Sequence, residues 1–213
     1  MQSDLFGGQD DGHHLPQGAK VLRGFALPFY ADIAVALDAV TRQAPFRNMT
    51  TPGGHRMSVA MTNCGALGWV SGPSGYSYSA RDPDTGLAWP EMPQVFWALA
   101  LSAASDAGYP FFTPDACLIN QYLPGTKLSL HQDKDEADFD HPIVSVSLGL
   151  SGVFQFGGKA RRDPLQLIEM VHGDVLVWGG PSRLFYHGVK PIKEGHHPAL
   201  GAQRINLTFR KAN

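Results

Sequence analysis

Alternating apolar and polar residues characterise the second half of the chain. From residue 116 onward, short alternating segments are separated by turn residues such as Pro124-Gly125 and Gly157-Gly158. A period of two residues is typical of strands that bury one face. The alternation predicts eight short strands, at residues 116–123, 127–133, 143–150, 153–156, 165–171, 174–178, 183–189 and 203–210. Such a series of strands and turns predicts a jelly roll, or double-stranded β-helix.

The first half of the chain carries the signals of two helices. Apolar residues recur every three to four positions over residues 28–43, which predicts the first helix. Residues 94–107 are predicted as the second helix, because Pro93 suits its entry and Gly108 its end. Short strands are predicted at residues 20–27 and 57–62. Because the helices precede the jelly-roll strands, we expect them to buttress one sheet of the roll, in a mainly β fold of the α+β class.

A long segment rich in glycine, proline, serine and aromatic residues lies at residues 64–93. A loop of this length is unusual unless it has a function, and we expect it to close over a site as a lid. Residues 1–18 are polar and glycine-rich, which predicts a flexible tail. The chain is therefore predicted to be one domain, with the helices and the lid in residues 19–113 and the jelly-roll core in residues 114–213.

Composition and charge narrow the class of protein. The chain has 17 lysine and arginine residues against 19 aspartate and glutamate residues, so any contact with nucleic acid must come from local basic patches. Cys64 and Cys117 lack the Cys-x-x-Cys spacing of thiolate zinc sites, and two cysteines do not predict a disulfide framework. No apolar run has the length of a signal-peptide core or a membrane span, so we expect a cytoplasmic protein with no membrane partner.

Candidate metal ligands lie in the predicted strand 127–133. Alternation places His131 and Asp133 on one face of this strand, two residues apart. One more imidazole would give three ligands on one side of a metal and leave the opposite positions open, as non-haem Fe(II) oxygenases require. His187 is the preferred third ligand because it lies in an apolar predicted strand. His172 is the chief competitor, although His172-Gly173-Asp174 has the composition of a turn.

The C-terminal strand has a polar face that suits an anionic ligand. Arg204, Asn206 and Arg210 share this face, opposite an apolar face that must be packed. Asn120 and Tyr122 share one face of the first jelly-roll strand in the same way. Two such strands can border one polar cavity, and two guanidinium groups suit a small dicarboxylate. A solvated edge strand is the alternative for either strand taken alone.

Several segments match the motifs of one known family. They are residues 120–122, 131–136, 145–149, 185–188 and 204–210, with further matches upstream at residues 57–65 and 75–79. Together they resemble the AlkB family of Fe(II)/2-oxoglutarate-dependent dioxygenases, over nearly the whole chain after about Lys20. The resemblance implies an oxidative demethylase for DNA repair, with Fe(II), 2-oxoglutarate and O2 as cofactor and co-substrates. It also implies a jelly roll covered by a nucleotide-recognition lid.

The resemblance assigns roles to individual residues. The iron ligands would be His131, Asp133 and His187. The residues that hold 2-oxoglutarate would be Asn120, Tyr122, Arg204, Asn206 and Arg210. The residues that contact a flipped methylated base or its nucleotide would be Trp69, Tyr76, Asp135, Glu136 and Arg161, with Met61 in the base pocket. One departure is His55, where the family pattern has an aromatic residue, and this leaves the contact of the lid with the nucleic-acid backbone open.

The chemistry of the substrate residues supports these roles, and each residue has a plainer alternative. An indole at Trp69 can stack a base taken out of a helix, and a carboxylate favours a cationic lesion such as 1-methyladenine or 3-methylcytosine. Trp69 and Met61 are otherwise core residues, and Asp135-Glu136 a solvated turn. Arg161 belongs to a small basic cluster that would meet phosphates, although such clusters usually serve solubility.

The sequence therefore predicts a monomeric enzyme that removes methyl groups from N-alkylated bases of DNA, preferentially single-stranded, with RNA as a further substrate. The products would be formaldehyde, succinate and CO2. Two alternatives stay open. One is the same oxygenase chemistry on another substrate, such as RNA or a protein side chain. The other is a non-catalytic jelly-roll binding module whose metal triad is structural or absent.

Overall fold

Residues 15–213, the part of the chain that the computed structural model describes, contain twelve strands and two α-helices. The helices are α1 (Tyr30–Gln43) and α2 (Gln94–Asp106). The strands are β1 (Ala19–Leu22), β2 (Ala60–Gly65), β3 (Gly68–Gly72), β4 (Gly75–Ser79), β5 (Ala116–Tyr122), β6 (Leu128–His131), β7 (Ile143–Gly149), β8 (Gly152–Phe156), β9 (Gln166–Met170), β10 (Val175–Trp178), β11 (His187–Val189) and β12 (Arg204–Arg210). Within the same residues, neither helix is long and apolar enough to cross a membrane.

Most of the strands form two antiparallel sheets that face each other. The larger sheet has the order β1-β10-β7-β12-β5-β2, and the smaller sheet has the order β6-β11-β8-β9. In the larger sheet β12 lies between β5 and β7, so its polar residues are flanked by those of both neighbours. This two-sheet arrangement is the predicted jelly roll, and the prediction of a mainly β fold is confirmed.

The helices pack on the outer face of the larger sheet, as predicted. Ile33 of α1 and Leu99 of α2 belong to one buried cluster with Val146 of β7 and Leu207 of β12. Complete burial of one such aliphatic side chain stabilises the fold by about 1.5–3 kcal/mol. Since side chains alternate along a strand, this packing turns the intervening polar residues of β7 and β12 toward the smaller sheet.

A second core lies between the two sheets and is rich in aromatic residues. The ring of Phe154 on β8 lies 5.7 Å from that of Trp178 on β10, and Phe156 lies 6.1 Å from the same indole. Phe154 also stacks on His187, with 5.7 Å between the ring centroids. This aromatic packing holds the first residue of β11 against the inner face of the larger sheet.

The segment 64–93 was predicted as a loop, and this prediction is wrong for about half of it. Strand β2 continues to Gly65, and β3 and β4 pair with each other as a hairpin in a separate two-stranded sheet. The backbone of Gly68 lies so close to Trp89 that a Cβ atom there would be 2.4 Å from the indole. Frequent glycine and serine residues hide the alternation of these two short strands, which is why the sequence pattern missed them.

Two strands are also shorter than predicted. The predicted strand 183–189 is a strand only over its last three residues, because the chain first makes a 3-10 turn at Gly180–Ser182. The predicted strand 20–27 ends at Leu22, before a second 3-10 turn. Residues 1–14 of the predicted flexible tail lie outside the described residues. At its end, the Gly18 carbonyl accepts hydrogen bonds from the Tyr109 hydroxyl (2.7 Å) and from the Gly179 N–H (2.9 Å).

Candidate functional site

A cavity of about 560 Å³ opens between the two sheets, beneath the β3–β4 hairpin. Its walls combine apolar residues of the inner core with polar residues of β5, β6, β7, β11 and β12. The predicted site residues that line it are Met61, Trp69, Tyr76, Asn120, Tyr122, His131, Asp133, Asp135, Arg161, His187, Arg204, Asn206 and Arg210. Site residues predicted from distant parts of the sequence therefore line one cavity. Among the predicted site residues, Glu136 does not line it.

The three predicted metal ligands lie together at one end of this cavity. His131 ends β6, His187 begins β11, and the two residues are direct partners across these antiparallel strands. The nearest oxygens of Asp133 lie 3.5 Å from His131 Nε2 and 3.8 Å from His187 Nε2. One ligand atom from each residue lies within 4.8 Å of the others, so a single metal ion can bind all three.

Backbone hydrogen bonds orient both imidazoles for metal binding. His131 Nδ1 lies 2.9 Å from the Ser129 carbonyl oxygen, and His187 Nδ1 lies 2.9 Å from the Phe185 carbonyl oxygen. A carbonyl oxygen only accepts, so each Nδ1 carries a proton and donates it. Each Nε2 is then left with its lone pair directed at the shared metal position. This arrangement is typical of histidine ligands to metals.

The charges of the triad also suit a cation. Burial, reinforced by the neighbouring His131, lowers the pKa of His187 to about 3, so its imidazole is neutral. Burial opposes ionisation of Asp133, but Arg210 prevails and holds the pKa of this carboxyl well below its usual range. Burial likewise opposes protonation of His131, yet the hydrogen bond and charge of Asp133 raise its pKa. The site thus combines the neutral imidazole of His187 with the carboxylate of Asp133, and a divalent metal would displace any proton bound to His131 Nε2.

Gly188 allows β6 and β11 to approach each other at the metal site. A Cβ atom at this position would lie 2.7 Å from the Leu128 carbonyl oxygen and 3.2 Å from the Leu130 amide nitrogen. Both are backbone atoms, so Gly188→Ala must push the two strands apart and separate the paired histidines. We expect this variant to bind Fe(II) at least about 10-fold more weakly in anaerobic titrations, the size of effect seen when support of a metal ligand is lost.

Gly72→Ala is the matched control for that experiment, because a Cβ atom at Gly72 would meet nothing within 4 Å. Equal Fe(II) affinities of the two alanine variants would contradict the role of Gly188.

Arg204 is a buried cation with atoms that have no partner in the described structure. The residue is 3% exposed, and its Nη2 atom donates a hydrogen bond to Ser147 Oγ at 2.7 Å. Within residues 15–213, its Nε and Nη1 atoms have no hydrogen-bond partner. An unpaired buried charge is costly, whereas a carboxylate in the cavity would balance this charge and accept a hydrogen bond from Nη1. The residues present therefore fit the distal carboxylate of 2-oxoglutarate.

Neighbouring polar groups extend this carboxylate site. Burial raises the pKa of Tyr122 to about 12, so its hydroxyl remains a proton donor. Asn206 donates to Ser145 Oγ at 2.8 Å and to the Val146 carbonyl at 2.9 Å, which fixes the orientation of its amide. Asn120 Oδ1 is buried and unpartnered within residues 15–213, as expected of a group that awaits a ligand or water.

Ser145 and Ser147 were not among the predicted site residues. Both belong to β7, where they alternate with apolar residues that face the helices. Their spacing of two residues, in alternation with apolar residues, would have predicted that they share the polar face of the strand. Tyr186 was also missed. It lines the cavity, and the Arg161 guanidinium lies 5.9 Å from the centre of its ring.

The aromatic residues of the hairpin meet the acidic segment that follows the metal ligands. Trp69 Nε1 donates a hydrogen bond to Asp135 Oδ2 at 2.9 Å. The Trp69 ring stacks on Tyr76, with 5.3 Å between centroids and an interplanar angle of 19°. Met61 is 3% exposed. It lines the cavity and also belongs to the inner core, so it fits both the predicted pocket role and the alternative of a core residue. His55 is exposed in the turn that precedes β2.

Glu136 lies elsewhere than predicted. We expected this carboxylate at the rim, in contact with the substrate, but its side chain is buried and does not line the cavity. It accepts a hydrogen bond from the Tyr78 hydroxyl and makes ion pairs with Arg183 and Arg210. Two buried arginines therefore draw Glu136 inward. Arg183 was missed because its segment looked like an ordinary apolar strand.

Comparison with known proteins agrees with this geometry. A family model described as the 2OG-Fe(II) oxygenase superfamily matches residues 18–210. Fold and site thus define a jelly-roll oxygenase that depends on Fe(II), 2-oxoglutarate and O2. The chain is 59% identical over 198 residues to the alpha-ketoglutarate-dependent dioxygenase AlkB of Escherichia coli (strain K12), covering 93% of this chain and 92% of that protein. The chain belongs to the AlkB family of these dioxygenases.

Two further similarities extend this result. The chain is 46% identical over 178 residues to an alpha-ketoglutarate-dependent dioxygenase AlkB homolog of Caulobacter vibrioides (strain NA1000 / CB15N), with 83% of this chain and 79% of that protein covered. The solved structure of OsALKBH1 matches with a TM-score of 0.81 and 30% identity, covering 93% of this chain and 99% of the other. The predicted dioxygenase is thereby confirmed, and the alternative of a non-catalytic binding module is set aside.

Proposed function

We propose that this dioxygenase removes methyl groups from N-alkylated bases, such as 1-methyladenine and 3-methylcytosine, in DNA and also in RNA. The observation that carries the proposal is the single cavity that joins the metal triad and the unpaired Arg204 to the aromatic hairpin. Two relatives of lower identity support a nucleic-acid substrate through their names. They are a DNA N(6)-methyladenine demethylase of Arabidopsis thaliana and a tRNA demethylase of Schizosaccharomyces pombe.

In this proposal His131, Asp133 and His187 hold Fe(II), and Arg204 pairs with the distal carboxylate of 2-oxoglutarate. Tyr122 and Asn206 assist Arg204 at that end, while Asn120 and Arg210 hold the end nearer the metal. When bound, Fe(II) with 2-oxoglutarate and O2 supplies the oxidation of the methyl group, with succinate and CO2 as products. The hydroxylated methyl group then leaves the base nitrogen as formaldehyde. The protein contributes positioning, charge balance and a cavity shielded from water.

The hairpin and the acidic segment form the base-binding end. Trp69 provides a flat apolar face for a base that has left its stack, and Tyr76 lies beside it at the cavity mouth. Asp135 places a carboxylate near the base, where it favours a cationic methylated base over its neutral counterpart. Arg161 provides a positive charge for the phosphates. A base is extruded at lower cost from a single strand than from a duplex, so we propose a preference for single strands.

The test is incubation of methylated oligonucleotides with the enzyme, Fe(II), 2-oxoglutarate and O2, followed by mass spectrometry. We expect loss of one methyl group per lesion and stoichiometric formaldehyde, with DNA and RNA strands of the same sequence compared side by side. Unmethylated strands are the control. If neither DNA nor RNA were demethylated, the proposal would be wrong. If RNA alone were demethylated, the substrate would be RNA and not DNA.

Trp69→Ala is expected to raise the KM for the methylated oligonucleotide about 10-fold, because base–aromatic stacking contributes about 1–3 kcal/mol per base. The affinity for 2-oxoglutarate should not change, since Trp69 is hydrogen-bonded to Asp135 whereas Arg204 is hydrogen-bonded to Ser147. Initial rates over a range of oligonucleotide concentrations measure this, and Trp97→Ala on α2 is the control. An unchanged KM would show that the base binds elsewhere.

We also propose that the enzyme is a monomer of the cytoplasm. The free, buried thiols of Cys64 and Cys117 are consistent with a reducing compartment. Light scattering during size-exclusion chromatography would give the mass in solution, and a dimer mass would contradict the monomer.

A further inference from the structure

Glu136 lies in a buried network of charges that the proposed reaction does not use directly. Its Oε1 atom accepts a hydrogen bond from the Tyr78 hydroxyl at 2.7 Å and lies 3.3 Å from Arg210 Nε. Its Oε2 atom lies 3.2 Å from Arg183 Nη2. The Glu136 side chain is 1% exposed, so these partners account for its buried charge.

The two arginines of this network reach the metal ligand Asp133. Arg210 donates to Asp133 Oδ2 from Nε at 3.0 Å and from Nη2 at 2.7 Å. Arg183 donates from Nη1 to the Asp133 carbonyl oxygen at 2.8 Å. Glu136 thus pairs with two arginines that both bind the metal ligand Asp133. Arg210 binds its side chain, and Arg183 binds its backbone carbonyl. Two carboxylates and two guanidiniums balance each other in this buried region.

The Tyr78 hydroxyl connects this network to the hairpin. Tyr78 and Tyr76 are two residues apart on β4 and share one face, and Tyr78 pairs directly with Trp69 of β3. Tyr76 and Trp69 line the cavity, whereas Tyr78 does not. The same hairpin therefore presents two aromatic groups to the substrate and one hydroxyl to Glu136.

We infer that Glu136 and Tyr78 are positioning residues of the metal and 2-oxoglutarate site, and that Glu136 is not a substrate contact. Glu136 keeps Arg210 aligned with Asp133 Oδ2, which leaves Oδ1 on the side of His131 Nε2. The hydrogen bond from Tyr78 fixes the orientation of the Glu136 carboxylate. It also links the hairpin to the alignment of Arg210 with Asp133. The inference rests on the proposed function only for the identity of the co-substrate near Arg210.

Tyr78→Phe tests the inference without removing any cavity-lining group. We expect its Kd for 2-oxoglutarate to rise about 3- to 10-fold, the effect of one lost hydrogen bond. Glu136→Gln, which removes the charge and keeps the shape, should raise this Kd about 10-fold or more. The measurement is anaerobic titration of the Fe(II) enzyme with 2-oxoglutarate, followed by the visible charge-transfer band. The position of that band should also shift, because the orientation of Asp133 changes.

Tyr109→Phe is the matched control, since its hydroxyl makes a hydrogen bond of the same 2.7 Å length to Gly18, away from the cavity. It should leave both the Kd and the band unchanged. The Tyr78→Phe and Glu136→Gln effects should be less than additive in the double variant, because both act through one hydrogen bond. If Glu136→Gln does not fold, Tyr78→Phe alone decides the question.

A purely structural role of the network would appear as a lower unfolding temperature with unchanged Kd and unchanged band, and that result would overturn the inference. So would a Glu136→Gln variant that alters only the KM for the oligonucleotide, because Glu136 would then act on the substrate. Neither titration contains nucleic acid, so its outcome is independent of whether methylated bases are the substrate.

Discussion

Arg204→Ala is expected to weaken 2-oxoglutarate binding by a factor of about 100 or more. The buried guanidinium has two atoms, Nε and Nη1, without a partner within residues 15–213. Each charge-assisted hydrogen bond to a carboxylate contributes about 1.5–3 kcal/mol, so the loss of a two-bond pair that includes Nη1 accounts for a change of this size. Anaerobic titration of the Fe(II) enzyme with 2-oxoglutarate, read from the charge-transfer band, measures the effect.

Two further variants sharpen the Arg204 experiment. Arg204→Lys keeps the charge but loses the planar fork, so we expect an affinity between those of the wild type and the alanine variant. Arg42→Ala removes an exposed guanidinium on α1 and should leave the affinity unchanged. If 2-oxoglutarate bound equally well to Arg204→Ala, the carboxylate site would have to be placed elsewhere in the cavity.

His187→Ala is expected to abolish the charge-transfer band and to reduce formaldehyde release by at least about 100-fold. Loss of an outer-shell partner alone typically costs about 10- to 100-fold in metal affinity or activity, and this substitution removes a ligand itself. His131→Ala should behave in the same way. Anaerobic spectroscopy and a formaldehyde assay at saturating 2-oxoglutarate provide the two measurements.

His172→Ala is the control for the histidine experiment. His172 accepts a hydrogen bond from the Gly149 amide and its ring lies 4.3 Å from that of His197, outside the triad. This variant should lose some stability and keep the charge-transfer band. The reverse pattern, in which His172→Ala loses the band and His187→Ala retains it, would refute the assignment of the third ligand.

Strand periodicity made much of the fold and the cofactor end of the site predictable. In β12 the apolar residues face the helices while Arg204, Asn206 and Arg210 face the cavity, and the sequence alternation alone separates these two sets. The same holds for Asn120 and Tyr122 on β5. The apolar residues around His187 were enough to prefer it over the other histidines as the third ligand. The structure places His187 where two strands pair directly.

The substrate end was less predictable because its contacts are made between irregular segments. Glu136 follows Asp135 in the sequence, yet one carboxylate lines the cavity and the other is buried. The cause is Arg183, which is distant in sequence and reaches Glu136 only after the chain has folded. The alternation of apolar and polar residues does not reveal such a charge pairing. It also did not predict the hairpin, because the glycines and serines there carry no apolar pattern.

The separate sheet of the β3–β4 hairpin has a consequence for how such enzymes diverge in evolution. His131, His187 and Arg204 belong to the two large sheets and Asp133 follows β6, whereas Trp69 and Tyr76 belong to the hairpin. If the proposed function is right, substitutions at those two positions change which base is accepted while the metal ligands and Arg204 stay in place. Tyr78 is the exception, since its hydroxyl is committed to Glu136. We therefore expect lineages that acquire new substrates to vary Trp69 and Tyr76 and to retain Tyr78.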